Sequence, residues 1–493
     1  MFELNYECER TFSGPRWSVP HIFSLRAAET PDDAVLHEVG LTRAGLVANP
    51  FTYGDALERI HYAAAQLAGL GVKRGDRVLV LIQQPSCFLT YFFAAMGLGA
   101  VPVPLPAAGK LGIPSVFRMR IESVSRDCRP QAIVAENVHR YTRAGFNGDV
   151  GDSWLEANAC SVDAPGLGEP FRSLDLDFDL ERPLDEMAYL QYTSGSTGEP
   201  RGVIITHKNL SSNLRACVMA ARVTSEDRCV SWLPLYHDMG LVAGPFMGIY
   251  IGSAPYLMEP TTFITSPLTW LNAIDEFEAT LTVAPNFAYS ILAHKLPDSA
   301  LENLDLSSLR LAFNGGEPIN HETVEKFQER FEPVGFSRKA FYPVYGLAEA
   351  TLAVTFPDPE QEVVYDRVDR GELSTKGRAK PVSREHGNAV TFVGVGQVMP
   401  DHELIIRERE SGEPCAERHV GEICVRGPSV LPGYFGGKST SLDAVFNRWE
   451  SEVATSDLGY LADGELFVVD RIKDIIIKAG ENISIAEVEE VLH

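Results

Sequence analysis

The residue pattern best suited to hold an anion is a loop rich in glycine and hydroxyl side chains, TSGSTGEPRG, at 193–202. Small residues let backbone N–H groups converge on one anion, and hydroxyl groups add further donors. The loop therefore indicates a phosphate site. A flexible hairpin turn is an equally good interpretation of such a stretch taken alone.

The spacing within this loop excludes a P-loop NTPase. A Walker loop needs Gly-x-x-x-x-Gly-Lys-Ser/Thr, but Pro200 lies five positions after Gly195 and Val203 lies five after Gly198. A dinucleotide G-x-G-x-x-G pattern is missing as well. The apolar runs at 188–192 and 202–206 predict two strands around the loop, so no helix N-terminus follows it directly.

Other short segments carry side chains able to do chemistry: LPLYHDMGL at 233–241, YGLAEAT at 345–351 and TSDLG at 455–459. Taken alone, a histidine in an apolar run is more often a structural residue of the core. A single glutamate or aspartate is more often a surface residue or a member of a surface ion pair. These side chains become candidates only through their combination.

The elements that must position these residues follow an alternating pattern. A strand at 78–82, a helix at 87–98 capped by Ser86 and a strand at 100–103 predict a β-α-β crossover with parallel strands. The preceding helix, which begins at Thr52, ends in a glycine pair and presents one apolar face. A second alternating series runs from about 230 to 345.

From about residue 362 the sequence pattern changes, and short predicted strands are separated by glycine, proline and charged residues. We therefore predict an α/β fold with two doubly wound α/β subdomains at about 1–360, with a crevice between them, and a small β-barrel subdomain at about 361–469. Together these form one large N-terminal domain, 1–469. Residues 470–493 are expected to be a hinge and the start of a further domain. The strands predicted in the barrel region are 389–393, 403–407, 422–426 and 465–469.

Composition restricts the possible partners and compartment. A formal net charge of -24 disfavours nucleic acid as a partner, because such a surface repels phosphate backbones. Eight cysteines without a C-x-x-C spacing fit buried thiols in a reducing compartment, and the N-terminus shows no secretory signal. We expect a cytoplasmic protein. The uncharged stretch 78–109 is broken by prolines and is not expected to span a membrane.

Six motifs in order resemble the signatures of the adenylate-forming acyl ligase superfamily, and within it the chain looks most like the fatty acyl-AMP ligases. The sequences LPLYHDMGL and YGLAEATLAVTF favour the fatty acyl-AMP ligases. A spacer of 45 residues from Glu349 to Gly394 also favours them, because it resembles the insertion of that family. The motifs are YTSGSTGEPRGV, LPLYHDMGL, NGGEPI, YGLAEAT, TSDLG and DRIKDIIIKAGENI.

The resemblance implies the reaction. A fatty carboxylate attacks the α-phosphorus of ATP with Mg2+ as cofactor, pyrophosphate leaves, and an acyl-adenylate forms. The acyl group then passes to the phosphopantetheine of an acyl carrier protein or of a synthase carrier domain. An acyl-CoA ligase and a non-catalytic module that binds acyl-adenylate are the alternatives.

The resemblance also implies a role for each matching residue. Arg201 stands where the family usually has lysine, and its planar guanidinium group keeps the positive charge at that position. Glu349 would hold Mg2+. Tyr345 would stack on adenine, Asp457 would accept hydrogen bonds from both ribose hydroxyls, and Arg471 would reach the sugar or the phosphate. The full nucleotide set is Thr193, Ser194, Gly195, Ser196, Thr197, Gly198, Gly315, Gly316, Glu317, Pro318, Tyr345, Gly346, Leu347, Ala348, Asp457 and Arg471.

The carboxylate substrate is assigned to the LPLYHDMGL motif. His237 would orient the acid and act with Glu349 and Arg201 as the catalytic set, with Asp238 and Met239 beside it. Asp238 could fix the imidazole or simply cap the next helix. The uncharged segment 239–258 contains four glycines that leave space, so it is a candidate wall for an acyl tunnel, although helix packing explains it equally well.

Lys473 matches the hinge position of the family. The catalytic lysine of the family lies further downstream and does not occur before His493, so we expect this chain to bind ATP and acyl-adenylate but to adenylate slowly. Because carrier proteins are acidic, a local basic docking patch is expected near the hinge. Its candidate residues are Arg471, Lys473 and Lys478.

Overall fold

The computed structural model describes residues 15–107, 115–138, 141, 157–162, 178–193, 200–436, 452–471, 475–478 and 481–484. Two mainly parallel sheets flanked by helices are followed by smaller antiparallel sheets. The predicted mixture of α/β and β-rich regions is confirmed.

The larger sheet has seven strands. Adjacent strands are parallel, except for an antiparallel hairpin at one edge. That hairpin comes from the start of the chain and was not identified in the sequence. In spatial order the strands are Phe341–Pro343, Leu311–Asn314, Leu281–Ala284, Cys229–Ser231, Tyr256–Met258, Ala34–Thr42 and Gly45–Thr52.

The smaller sheet has four parallel strands and contains the predicted β-α-β crossover. The helix of this crossover begins at Pro85 rather than after Ser86, because proline at the first helical position has a fixed φ and no N–H to satisfy. The N–H of Ser86 is instead bound by the Glu38 carboxylate at 2.9 Å. In order the strands are Val101–Pro104, Arg77–Leu81, Ala132–Ala135 and Ala159–Ser161.

Helices cover both sheets. The predicted start at Thr52 is confirmed, since its hydroxyl accepts a hydrogen bond from the Asp55 N–H. The helices are Val19–Glu29, Tyr53–Gly69, Pro85–Gly97, Ser115–Cys128, His207–Ala221, Asp238–Leu241, Met247–Ile251, Pro260–Thr265, Leu268–Glu276, Asn286–Lys295, His321–Phe331 and Arg370–Lys376. Short 3-10 turns span Asp298–Leu301, Glu332–Val334, Arg338–Ala340 and Ala348–Ala350, and a π-helix spans Val242–Phe246.

The helix Pro85–Gly97, which belongs to the smaller parallel sheet, contacts other parts of the molecule through its aromatic side chains. Phe92 makes edge contacts with Tyr189 and Phe246, and Phe93 also contacts Phe246. These four rings are almost completely buried. Burial of a large aromatic side chain contributes about 1.5–3 kcal/mol, so these contacts stabilise the packing of the helix against those parts.

The β-rich part forms sheets of four, three and two strands in the described residues rather than one continuous ladder. All of its ladders are antiparallel. The four-stranded sheet contains Glu403–Arg407, Gly421–Arg426, Glu452–Ala462 and Glu465–Arg471, and the three-stranded sheet contains Tyr345–Gly346, Ala353–Phe356 and Gln397–Val398. The pairs in this part are Tyr365–Asp369 with Ala389–Val393, and Ile475–Lys478 with Glu481–Ser484, while a separate hairpin, Met187–Thr193 with Arg201–Thr206, lies earlier in the chain.

Two observations on the described residues concern membrane-spanning helices and the state of the cysteines. Within the described residues, no helix is both long enough and apolar enough to span a bilayer. The seven cysteines in that part of the chain are all free thiols, but the prediction that they are buried holds for only three of them, since the other four are half-buried.

Candidate active site

A cavity of about 460 Å³ opens at the carboxyl edge of the larger sheet. Segments that follow different parallel strands meet at this edge, which is where ligands bind in open α/β sheets. The predicted site residues that line it are Thr193, Arg201, His237, Asp238, Met239, Gly315, Gly316, Tyr345, Gly346, Leu347, Ala348, Glu349, Asp457 and Arg471.

Other predicted site residues do not share this position. Ser194, Gly195, Ser196, Thr197, Gly198 and Lys473 lie outside the described residues. Glu317 and Pro318 are described but do not line the cavity. The Glu317 carboxylate instead accepts a hydrogen bond from the N–H of Phe287 at 2.5 Å, at the start of the helix Asn286–Lys295. Burial raises the pKa of this carboxyl.

The glycine- and hydroxyl-rich loop connects the two strands of a hairpin, as the apolar runs predict. Thr193 ends the first strand and pairs with Arg201, which begins the second. The start of the loop is held from a neighbouring helix, since Arg120 donates through Nη2 to the carbonyl of Tyr192 at 2.8 Å. Arg120 also lines the cavity and was not singled out in the sequence.

Asp457 is the centre of a hydrogen-bonded trio. It lies directly opposite Arg471 in the register of an antiparallel pair, where side chains share one face of the sheet. Arg471 Nε donates to Asp457 Oδ1 at 3.1 Å, and the Tyr345 hydroxyl donates to Oδ2 at 2.8 Å. Three residues assigned to the nucleotide are therefore in direct contact.

The Tyr345 phenol remains a neutral donor. Burial, reinforced by the charge of Asp457, raises its pKa well above the ordinary value. Both side chains are nearly buried, with 8% of Tyr345 and 7% of Asp457 exposed, so the hydrogen bond lies in a medium of low dielectric.

Glu349 lies on the 3-10 turn Ala348–Ala350, with its carboxylate toward the cavity. Its Oε1 accepts a hydrogen bond from the Tyr434 hydroxyl at 3.0 Å. Burial, together with the Glu349 charge, raises the pKa of Tyr434 to about 12. Tyr434 also stacks beneath the Arg201 guanidinium, 5.5 Å from its ring centroid, and no sequence signal had pointed to it.

The donor set at Glu349 fits Mg2+ that is bound mainly by phosphates. The described residues contain no group of three or more His, Cys, Asp or Glu side chains suited to a metal ion. Mg2+ commonly binds through one or two carboxylates, substrate phosphates and water, so a single glutamate is sufficient. Glu349 would hold such an ion against the phosphate oxygens.

His237 lines the cavity beside Asp238 and Met239. Its Nδ1 lies 2.7 Å from Asp238 Oδ1, and the Met239 N–H donates to the same oxygen at 2.7 Å. Asp238 therefore both orients the imidazole and satisfies the start of a short helix. Its negative charge raises the pKa of His237. Burial alone favours the neutral acid at Asp238, but the His237 charge and the Met239 N–H lower its pKa overall.

The apolar arm of the cavity runs down between the larger sheet and the helix His207–Ala221. Leu281 and Cys229 are paired at the amino ends of adjacent strands, and Ala221 and Val223 close this end from the helix side. Cys217, Phe313 and Phe356 also line the arm. Burial raises the pKa values of Cys217 and Cys229 to about 12, so both behave as apolar thiols.

The predicted role of the segment 239–258 is only partly correct. Ala243 and Met247 line the arm. Two of its glycines, however, serve close packing rather than free space. A Cβ at Gly240 would lie 2.3 Å from a backbone oxygen, and one at Gly248 would lie 2.6 Å from Pro255.

The comparisons with known proteins agree with this geometry. A family model described as AMP-binding enzyme matches residues 23–435, so the chain belongs to the AMP-binding enzyme family.

More particular similarities lie among the fatty acyl-AMP ligases, which confirms the resemblance found in the motifs. The medium-chain-fatty-acid–[acyl-carrier-protein] ligase JamA of Moorena producens is 34% identical over 448 residues, which cover 88% of this chain and 73% of JamA. A solved structure from studies of fatty acyl-adenylate ligases from E. coli and L. pneumophila is 35% identical, with a TM-score of 0.83, and covers 97% of this chain and 82% of its own.

A second solved structure shows ligands in this fold. It is the fatty acyl-adenylate ligase from L. pneumophila in complex with acyl adenylate and pyrophosphate. It is 29% identical, has a TM-score of 0.78 and covers 93% of this chain and 77% of its own.

Proposed function

We propose that this protein activates a fatty acid with ATP to give an acyl-adenylate and pyrophosphate. The observation that carries the proposal is one cavity with two chemically different parts. One part presents Arg201, Glu349 and Asp457, and the other is an apolar arm that ends at Leu281. Such a cavity suits a substrate that joins a nucleotide to an acyl chain.

The polar part is suited to bringing two anions together. Two unit charges 4 Å apart repel by about 4 kcal/mol at an effective dielectric of 20, so a fatty carboxylate approaches ATP only where cations are fixed in advance. Arg201 would supply one such cation to the phosphates. Glu349 would hold Mg2+, which would supply further positive charge to the phosphates when bound.

The remaining polar residues would hold the nucleoside and the acid. Asp457 would receive the ribose hydroxyls, which must share or displace the hydrogen bonds from Tyr345 and Arg471. Gly315 and Gly316 form a wall without side chains for adenine. His237, kept protonated to higher pH by Asp238, would orient the carboxylate at the mouth of the arm.

The depth of the arm favours medium-length chains. Gly315 lies four residues beyond Leu311, which pairs with Leu281, so the two levels are about 13 Å apart at about 3.3 Å per residue. An extended alkyl chain advances about 1.25 Å per carbon, from a bond of about 1.5 Å and an angle of about 111°. The arm therefore accommodates about ten methylenes.

The acceptor is proposed to be the phosphopantetheine of a carrier protein, as the name of the Moorena relative states for that protein. The hinge at Lys473, the division of the chain after residue 469 and the basic docking patch remain parts of this proposal. The free thiols of the described cysteines are in keeping with a cytoplasmic location.

The test has a binding arm and a product arm. Dodecanoyl-adenylate should raise the melting temperature further with each tenfold increase in its concentration above the dissociation constant, and the variant Asp457→Ala should abolish that rise. With ATP, Mg2+ and dodecanoic acid, mass spectrometry should find the adenylate, and carrier protein but not coenzyme A should accept the acyl group. A thioester with coenzyme A would support the acyl-CoA ligase alternative, and no binding of the adenylate would refute the proposal.

A further inference from the structure

Tyr434 contacts two of the residues proposed to act on the triphosphate. Its hydroxyl donates to Glu349 Oε1 at 3.0 Å, and the guanidinium of Arg201 lies over its ring. Tyr434 itself lines the cavity. One side chain therefore touches both the carboxylate proposed for Mg2+ and the cation proposed for the phosphates.

Residues 429–435, which we name the bridging segment, also hold the backbone of the turn that carries Glu349. The N–H of Leu431 donates to the Glu349 carbonyl at 2.8 Å, and the Thr351 hydroxyl donates to the Ser429 carbonyl at 2.7 Å. Thr351 has a φ of +73°, which is costly for a β-branched residue and persists only where the surroundings enforce it. The bridging segment supplies that enforcement.

The same segment pairs with the strand that leaves the glycine- and hydroxyl-rich loop. The Phe435 N–H donates to the Gly202 carbonyl at 2.8 Å, and the Ile204 N–H donates to the Gly433 carbonyl at 3.2 Å. Tyr434 lies opposite Val203 in an isolated antiparallel bridge. This pairing fixes the Tyr434 ring beside Arg201.

Buried amides of the helix His207–Ala221 hold the bridging segment from below. Asn209 Nδ2 donates to the Val430 carbonyl at 3.0 Å, and Asn213 Nδ2 donates to Ser429 Oγ at 3.2 Å. Both asparagines are nearly inaccessible, with 4% and 0% exposed. The segment is therefore a rigid link between two parts of the site that are far apart in sequence.

We propose that Tyr434 is a positioning residue that fixes the Glu349 carboxylate relative to Arg201, so that the metal and the phosphates are held in a matched geometry. The inference rests on the proposed function. Hydrogen bonds to a ligating carboxylate orient it, and their removal typically weakens metal binding by about ten- to a hundred-fold.

The test compares variants that remove the hydroxyl and the ring separately. Tyr434→Phe removes only the hydroxyl, and Tyr434→Leu also removes the ring beneath Arg201. Tyr460→Phe is a matched control, because the Tyr460 hydroxyl donates to a carboxylate oxygen of Asp366 at 2.8 Å and Tyr460 does not line the cavity. The readouts are Mn2+ binding by electron paramagnetic resonance with a non-hydrolysable ATP analogue, and binding of the analogue without metal.

Tyr434→Phe should weaken Mn2+ binding about ten-fold and leave metal-free binding of the analogue unchanged. Tyr434→Leu should weaken both, while Tyr460→Phe should match the unmodified protein. In a Glu349→Gln background, Tyr434→Phe should cause no further loss, since Tyr434 acts through that carboxylate.

Unchanged Mn2+ binding in Tyr434→Phe, or an additive loss in the Glu349→Gln background, would overturn this inference and leave the proposed function standing. An unmodified protein that binds neither the analogue nor its Mn2+ complex would overturn both. Melting temperatures establish that each variant is folded.

Discussion

Replacing Leu281 by alanine should lengthen the acyl chain that the protein prefers. Leu281 lies at the far end of the arm and is 6% exposed. Its truncation removes three carbon atoms from that end. About three more methylenes of substrate can then be buried, each worth about 0.8 kcal/mol, or nearly four-fold in kcat/KM.

The expected change is therefore a shift of two to three carbons in the preferred chain length. The ratio of kcat/KM for an acid three carbons longer to that for the original optimum should rise by up to about sixty-fold. The assay is competition within a mixed pool of fatty acids, with the adenylates or acyl-carrier products counted by mass spectrometry. Ala221→Leu, at the same end of the arm, should shift the preference in the opposite direction.

Leu311→Ala is the matched control. Leu311 pairs with Leu281 on the neighbouring strand, is fully buried and does not line the cavity. Both variants should lose about 2–5 kcal/mol of unfolding free energy, as leucine-to-alanine changes in cores do. Only Leu281→Ala should change the chain-length profile. An unchanged profile in Leu281→Ala, or the same shift in Leu311→Ala, would refute the assigned direction and depth of the arm.

Three further predictions concern the polar part of the cavity. Asp238→Asn should lower the pKa of His237, because the Asp238 charge is the main cause of its elevation. NMR titration of the imidazole measures this pKa, and a midpoint equal to that of the unmodified protein would contradict the prediction. Since the elevated pKa stabilises the folded protein below the ordinary pKa of histidine, this contribution should fade as pH rises through the folded value and be missing in Asp238→Asn. Tyr345→Phe should reduce the unfolding free energy by about 1.5–3 kcal/mol in urea titrations, because a buried hydrogen bond to a charged oxygen of Asp457 is lost. A change below about 0.5 kcal/mol, the size typical of a surface substitution, would contradict this prediction. Gly316→Ala should cost about 1–2 kcal/mol in unfolding free energy, because the backbone there has a φ of +83°. A steric clash is not the cause, since the nearest atom to the new Cβ, in Met239, is 3.5 Å away. An equally stable variant would count against backbone strain as the reason for glycine.

The sequence predicted the elements of the fold where local signals were strong. The strand at 78–82 and the helix that starts at Thr52 follow from apolar periodicity and capping residues, and the structure contains both. The start of the helix at Pro85 was missed because Ser86 was taken for the cap. The N-terminal hairpin was missed although its two strands pair across only Arg43 and Ala44, but its place at the edge of the larger sheet depends on Tyr256–Met258, some 200 residues away, beyond any local signal.

The candidate site divides in a similar way. Residues in recognisable motifs, such as Glu349, Asp457 and His237, could be identified before their positions were known. Tyr434 and Arg120 could not, since neither belongs to a pattern that differs from ordinary core or surface sequence. Glu317 was assigned to the nucleotide set by its motif, whereas its carboxylate accepts a hydrogen bond from the Phe287 N–H.

The sequence by itself determined the chemistry available to this protein. The order and sequences of its motifs indicate nucleotide and acyl activation, and its apolar periodicity indicates α/β layers. The sequence suffices here because motifs and periodicity are both properties of residues that are neighbours in the chain. Only the tertiary structure decided which groups touch. The register that sets Asp457 against Arg471, the bridging segment that brings Tyr434 to Glu349 and the strand ends that close the acyl arm at Leu281 all depend on long-range pairing. Long-range pairing is set by the packing of the whole core rather than by the residues on either side.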